Sequence, residues 1–203
     1  MPRSTSVETN LIPRRLLFDN ASRLRPRLSP DGGRLAWLAP VGGVMNIWVA
    51  SVHAIAGGRA LTHTKGRPIL WHDWSADGRY VWFFNDLNGD EDYHLFAASA
   101  ETGEIRDLTP FDKVSATLLC VSRDLPDRVV VGLNDRDPKW HDVWSVDLAT
   151  GERTLLFENG HGYGTFKVDH QGRLRLATRS VPEHGGSETF PPRRSRTASG
   201  GPA

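Results

Sequence analysis

Trp48 in NIWVAS, Phe96 in HLFAAS and Trp144 in DVWSVD stand at equal intervals of 48 residues. Thr102-Gly103-Glu104 returns as Thr150-Gly151-Glu152 at the same interval, with the glycine seven residues after its aromatic in both copies. Upstream, Ser29-Pro30-Asp31-Gly32 returns as Ser75-Ala76-Asp77-Gly78, each leading into an arginine and an apolar run. A period of this length marks four-stranded sheets that stack in tandem, each burying a face against its neighbour. The chain is therefore a repeat array, and the marking aromatics are expected in its core.

The strings RLAWLAP, MNIWVASV, RYVWFFND, DYHLFAASA, RVVVGLND, DVWSVDL and RLRLATRS are short, rich in β-formers and bounded by Gly, Asp, Asn or Pro, as strands are. They group into units at about 23–64, 68–110 and 114–159, with a partial fourth at 163–186. Asp77-Gly78, Thr102-Gly103 and Thr150-Gly151 supply the positive φ that hairpin turns need. The expected class is all-β: a partial β-propeller of about three and a half four-stranded blades, of the TolB and WD40 kind. Residues 1–22 form an N-terminal segment, with a short helix expected around Arg14 to Ser22. The stretch 187–203 is dense in Pro, Gly, Ser and Arg and reads as a disordered tail. The next aromatic mark falls due at residue 192, where none stands.

At 203 residues and 38% hydrophobic, the chain can bury a sizeable core. Its net charge of +1 falls to −1 without the tail, whose Arg193, Arg194 and Arg196 outweigh Glu188. That leaves no basic face for nucleic acid. Cys120 has no partner for an intrachain disulfide, which excludes a disulfide-stapled scaffold and suggests a buried, inert thiol. No apolar run reaches the roughly 18 residues of a membrane span, and MPRSTSVETN lacks the apolar centre of a secretion signal. No membrane partner is expected, and cytoplasmic residence is the default.

Catalytic motifs are missing. No Gly-x-Ser-x-Gly occurs; Gly185-Gly186-Ser187-Glu188-Thr189 lacks the closing glycine, and His184-Gly185-Gly186 is more simply a turn than an oxyanion loop. The eight histidines show no His-x-x-x-His spacing and there is no Cys-x-x-Cys, so neither a metal nor a cofactor is expected. His72 and His141 read as structural. Asp86-Leu87-Asn88-Gly89-Asp90-Glu91-Asp92 alternates oxygen ligands, but a calcium loop counted from Asp86 needs glycine sixth and glutamate twelfth. Glu91 and Ala97 stand there, and a hairpin loop on Asn88-Gly89 accounts for the string. The candidate binding residues are Asp90, Glu91 and Asp92, an acidic patch suited to a cationic ligand such as a peptide amino terminus.

Three strings carry a resemblance: LIPRRLLFDNASRLRPRLSPDGGRLAWLAP, WSADGRYVWFFNDLNGDEDYHLFAASAETGEIRDLTP and DVWSVDLATGERTLLFE. In this order, over about residues 11–186, they resemble the N-terminal β-propeller of prolyl oligopeptidase family serine peptidases, in the acylaminoacyl and dipeptidyl peptidase-like branch. The resemblance implies a seven- or eight-bladed propeller that restricts entry to short peptides, followed by an α/β-hydrolase domain with a Ser, Asp and His triad. No triad residue has a matching position here, and residues 90–92 do not match the amino-terminus-binding glutamates of the dipeptidyl branch. The expected role is a non-catalytic, substrate-gating propeller that meets short peptides through a hydrolase domain this chain lacks. An unclosed array would expose a blade edge and self-associate. The alternative is a standalone four-bladed interaction module, its fourth blade completed by a strand near Arg15 to Phe18.

Overall fold

The computed structural model describes residues 12–14, 21–86, 89–181, 183 and 185–191. Four antiparallel sheets follow one another along the chain. The first holds β1 (Leu24–Leu28), β2 (Arg34–Val41), β3 (Val44–Ser51) and β4 (Arg59–Ala60), and the second β5 (Trp71–Trp74), β6 (Tyr80–Asn85), β7 (His94–Ser99) and β8 (Ile105–Asp107). The third holds β9 (Ala116–Ser122), β10 (Leu125–Asp137), β11 (Trp140–Asp147) and β12 (Arg153–Phe157), and the fourth β13 (Thr165–Val168), β14 (Leu174–Val181) and β15 (Gly186–Phe190). In each sheet the spatial order is the sequence order. First strands of neighbouring sheets approach one another, β1 with β5 and β9 with β13. This is the partial, all-β propeller that the repeat predicts.

Local chemistry sets the hairpins. Ser29 Oγ donates to Asp31 Oδ1 at 2.6 Å and accepts from the Arg34 N–H at 2.9 Å, and Ser75 repeats this with Asp77 and Tyr80 at the same distances. Gly32 and Gly78 complete the two turns at φ 73 and 72, a region that L side chains rarely adopt. Between the turns, middle strands are buried on both faces. Val129, Val130 and Val131 are all fully buried, which is why the string RVVVGL is continuously apolar instead of alternating.

Three core clusters lie between consecutive sheets. Ala36, Leu38 and Ile47 of the first sheet meet Val81, Phe83 and Ala98 of the second. Trp82 and Leu95 then meet Val129, Val131 and Val146, and Val130 and Val143 meet Phe166 and Ala177. Arginines bridge the first two of these seams. Arg34 Nη2 donates to the Gly78 carbonyl at 2.7 Å and Arg59 Nη2 to the Ala100 carbonyl at 2.7 Å, while Arg106 Nη1 donates to the Ala149 carbonyl. Arg59 and Arg106 hold equivalent places, because the residue after each pairs with a marking aromatic, Ala60 with Trp48 and Asp107 with Phe96.

The marking aromatics sit on third strands at one register position, opposite Trp37, Phe83 and Val131. They are half-buried, and Phe96 and Trp144 pack against the core clusters. A fourth mark exists. Phe190 pairs with Ala177 as Phe96 pairs with Phe83, and packs against Tyr163 at 6.2 Å. It comes 46 residues after Trp144, not 48, and so escapes a strict count. This corrects two readings: the fourth unit runs past 186, and Ser187 to Phe190 form an edge strand where a disordered tail was expected. Averaging composition over the Pro- and Arg-rich end hid a short strand anchored by one aromatic. Residues 15–20, which carry most of the expected helix and the expected closing strand, and residues 192–203 of the tail lie outside the described residues.

The two ends of the stack differ. On the outer face of the first sheet, Trp37 stacks on Trp48 with centroids 6.4 Å apart and is roofed by the 3-10 turn Ile55–Gly57. Gly58 permits this approach, since a Cβ there would lie 2.6 Å from Trp37 Cη2. On the outer face of the fourth sheet, Thr165, Thr178 and Thr189 form one row across the strands, with Thr178 and Thr189 hydroxyls 3.0 Å apart. The outer edge of β15 has no partner strand among the described residues.

Candidate functional site

A cleft of about 580 Å³ lies between the second and third sheets, within the size range of ligand pockets. Its apolar walls come from Trp71, Trp82, Phe84 and Leu118, and its polar lining from Arg67, Asn85, Asp86 and Tyr93. Trp71 is 56% exposed although it opens a strand, an unusual position for so large a ring. Trp82 is fixed by its indole N–H, which donates to the Trp74 carbonyl at 3.2 Å.

One buried carboxylate organises the polar side. Asp86 Oδ1 accepts from Arg67 Nε at 3.0 Å, and Oδ2 accepts from the Glu91 N–H at 3.4 Å. Burial works to raise the Asp86 carboxyl, but the bonds from Arg67 and Glu91 outweigh it and hold the group below its ordinary range, while Asp86 in turn raises Arg67. The pair is therefore fully ionised at neutral pH. Glu91 takes φ 64 to reach back to Asp86, and the Asp92 N–H donates to Asp90 Oδ1 at 3.2 Å. The predicted residues Asp90, Glu91 and Asp92 thus share one loop beside the cleft, with Asp90 and Glu91 exposed and Asp92 half-buried. None of the three lines it. Gly89 has φ 80, as a turn glycine should, and Asn88 lies outside the described residues.

Sequence reasoning missed the cleft itself. Asp86 was within reach, as the first residue of the acidic string, but Trp71, Phe84 and Leu118 come from two repeats and no local spacing connects them. His72 is 3% exposed on β5 and His141 is half-buried. Burial lowers both imidazoles, His72 to about 4, which fits neutral packing groups. Ser187 lies in β15 opposite Ser180, in extended strand, not on the sharp turn a nucleophile needs. Among the described residues no group of three His, Cys, Asp or Glu side chains could hold a metal ion, and no helix is long and apolar enough to cross a membrane.

Cys120 is half-buried and not fully interior as expected, with Sγ 3.6 Å from the Asp169 carbonyl. Burial first, and the Asp169 charge second, raise its thiol. Iodoacetamide at pH 8 is expected to modify it at least about ten-fold more slowly than in the urea-unfolded chain; equal rates in both states would contradict this.

The fold is that of a β-propeller segment. By sequence the chain is 42% identical over 177 residues to Dipeptidyl aminopeptidase BIII of Pseudoxanthomonas mexicana, covering 87% of this chain and 26% of that protein. It is 25% identical over 181 residues to Dipeptidyl peptidase family member 6 of Caenorhabditis elegans, covering 86% of this chain and 24% of that one. The chain thus spans about a quarter of the length of these curated relatives, which by name are peptidases. No family profile matches it. Among solved structures, a prolyl endopeptidase superposes with TM-score 0.58 at 16% identity, covering 82% of this chain and 26% of that chain. Prolyl oligopeptidase B from Galerina marginata gives 0.55 at 13% identity, covering 77% and 23%. TolB from Acinetobacter baumannii gives 0.50 at 14% identity, covering 84% and 43%. At these identities the structures attest the propeller fold.

Proposed function

We propose that the chain is the substrate-gating propeller portion of a serine peptidase of the dipeptidyl aminopeptidase type, and carries none of its catalytic groups. The observation behind this reading is the 42% identity to a dipeptidyl aminopeptidase, spread over 87% of the chain. In that role the chain would narrow access to a reaction centre held elsewhere, so that its own surfaces choose what enters. The test is a chimera in which this chain replaces the 177 matching residues of Dipeptidyl aminopeptidase BIII. The chimera is expected to hydrolyse dipeptidyl nitroanilides and to leave casein intact. The isolated chain is expected to show no turnover and no labelling by a fluorophosphonate. A folded chimera that degrades casein, or a labelled chain, would sink the reading.

One observation favours a second reading, a standalone interaction module: the outer face of the fourth sheet carries the threonine row Thr165, Thr178 and Thr189. A terminal repeat needs a polar outer face. Sedimentation and melting separate the two. A monomer with a sharp, concentration-independent melt supports the module, while self-association through the β15 edge supports an open array.

A further inference from the structure

We propose that the cleft between the second and third sheets binds a cation on an aliphatic stem, the side chain of lysine or arginine. The walls supply the first half of the argument. Trp82, Phe84 and Leu118 offer apolar surface for a chain of methylenes, and Trp71 lines the cleft with a ring still 56% exposed. That ring already accepts a guanidinium within the molecule, because Arg25 Cζ lies 3.7 Å from its centroid. Such stacking is what aromatic rings offer to cations.

Charge supplies the second half. Residues 86–92 carry four carboxylates, Asp86, Asp90, Glu91 and Asp92, against two guanidiniums at the cleft, Arg67 in its lining and Arg25 over the Trp71 ring. Arg67 spends its charge on Asp86 at 3.0 Å, so the exposed acids beside the cleft are left uncompensated and favour a positive ligand. Asn85 is the third observation. It lines the cleft and is 6% exposed. Its oxygen can accept from an ammonium or guanidinium N–H. An anionic ligand would meet the acidic loop instead.

That the cation arrives on a peptide rests on the peptidase reading above; that it is a cation on a stem rests on the cleft alone. The experiment is a calorimetric titration of the chain with Ac-Ala-Lys-Ala-NH2, Ac-Ala-Arg-Ala-NH2, the isosteric Ac-Ala-norleucine-Ala-NH2, free-amine Ala-Ala-Ala-NH2 and n-butylguanidine. The lysine and arginine peptides are expected to bind at least about ten-fold more tightly than the norleucine peptide. The preference should shrink to about two-fold in the Asp90→Asn, Glu91→Gln, Asp92→Asn variant, and binding should weaken about five-fold or more in Trp71→Ala. Trp71, Asp90 and Glu91 are exposed and Asp92 is half-buried, and circular dichroism checks that each variant is folded. Equal binding of the norleucine peptide overturns the proposal. So does equal binding of Ala-Ala-Ala-NH2, which would assign the loop to an amino terminus, or no binding of any probe at about 10 mM. Binding of n-butylguanidine without the peptides keeps the cation site and removes the peptide reading. An inactive chimera leaves the lysine-to-norleucine ratio unaffected.

Discussion

Phe83→Ala is expected to lower the unfolding free energy by about 3–5 kcal/mol, and Phe96→Ala by about half as much. The two rings stack with centroids 5.1 Å apart and pair across β6 and β7, yet they differ in surroundings. Phe83 is 2% exposed, enclosed by Ala36, Leu38 and Ile47 from the first sheet. Its removal leaves a cavity at a seam that rigid strands cannot close. Phe96 is half-buried, and solvent fills part of the space it vacates. Urea midpoints at constant slope measure both losses. Equal losses, or the larger loss at Phe96, would mean that the repeat-marking aromatics and not their partners hold the seams.

Stability should fall by about 2–3 kcal/mol between pH 7.5 and 4.5 through His72 alone. Burial, helped by the Arg27 and Arg25 charges, lowers the imidazole from 6.5 to about 4, and neither ring nitrogen has a hydrogen-bond partner among the described residues. Between these two values the unfolded chain binds the proton and the folded chain does not. Stability is therefore complete above about 6.5 and drains away as the pH falls toward 4. His141, also lowered by burial, adds to the same slope. Asp169 acts in a more acidic window: burial works to raise it, but bonds from Arg173 and Arg175 hold it at about 2. The difference between wild type and His72→Phe isolates the His72 part. Parallel stability–pH curves for the two proteins would show that His72 accepts its proton in the fold.

The architecture was legible because repetition compounds weak signals. Ser29 to Gly32 alone is an ordinary turn, but its return at Ser75 to Gly78 and the 48-residue aromatic interval fix period, strand count and register together. The same rule misled at the end of the chain, where Ala177 follows Trp144 by 33 residues while Phe83 follows Trp48 and Val131 follows Phe96 by 35, which brings Phe190 two residues early. The cleft was not legible for a different reason. Trp71 and Leu118 approach only when two repeats stack, and nothing local distinguishes an exposed Trp71 from a buried Trp74 in the string WHDW. Asp90, Glu91 and Asp92 were visible as charge, whereas Asp86, which orders their loop, looks no different from them in one dimension.

The arginine bridges impose a direction on assembly. Arg34, Arg59 and Arg106 each donate to a carbonyl later in the chain, at Gly78, Ala100 and Ala149. On a ribosome, every donor emerges before its acceptor exists. The first and second sheets thus wait unlatched until their successors arrive, so at these two seams the order of synthesis and the order of locking are the same.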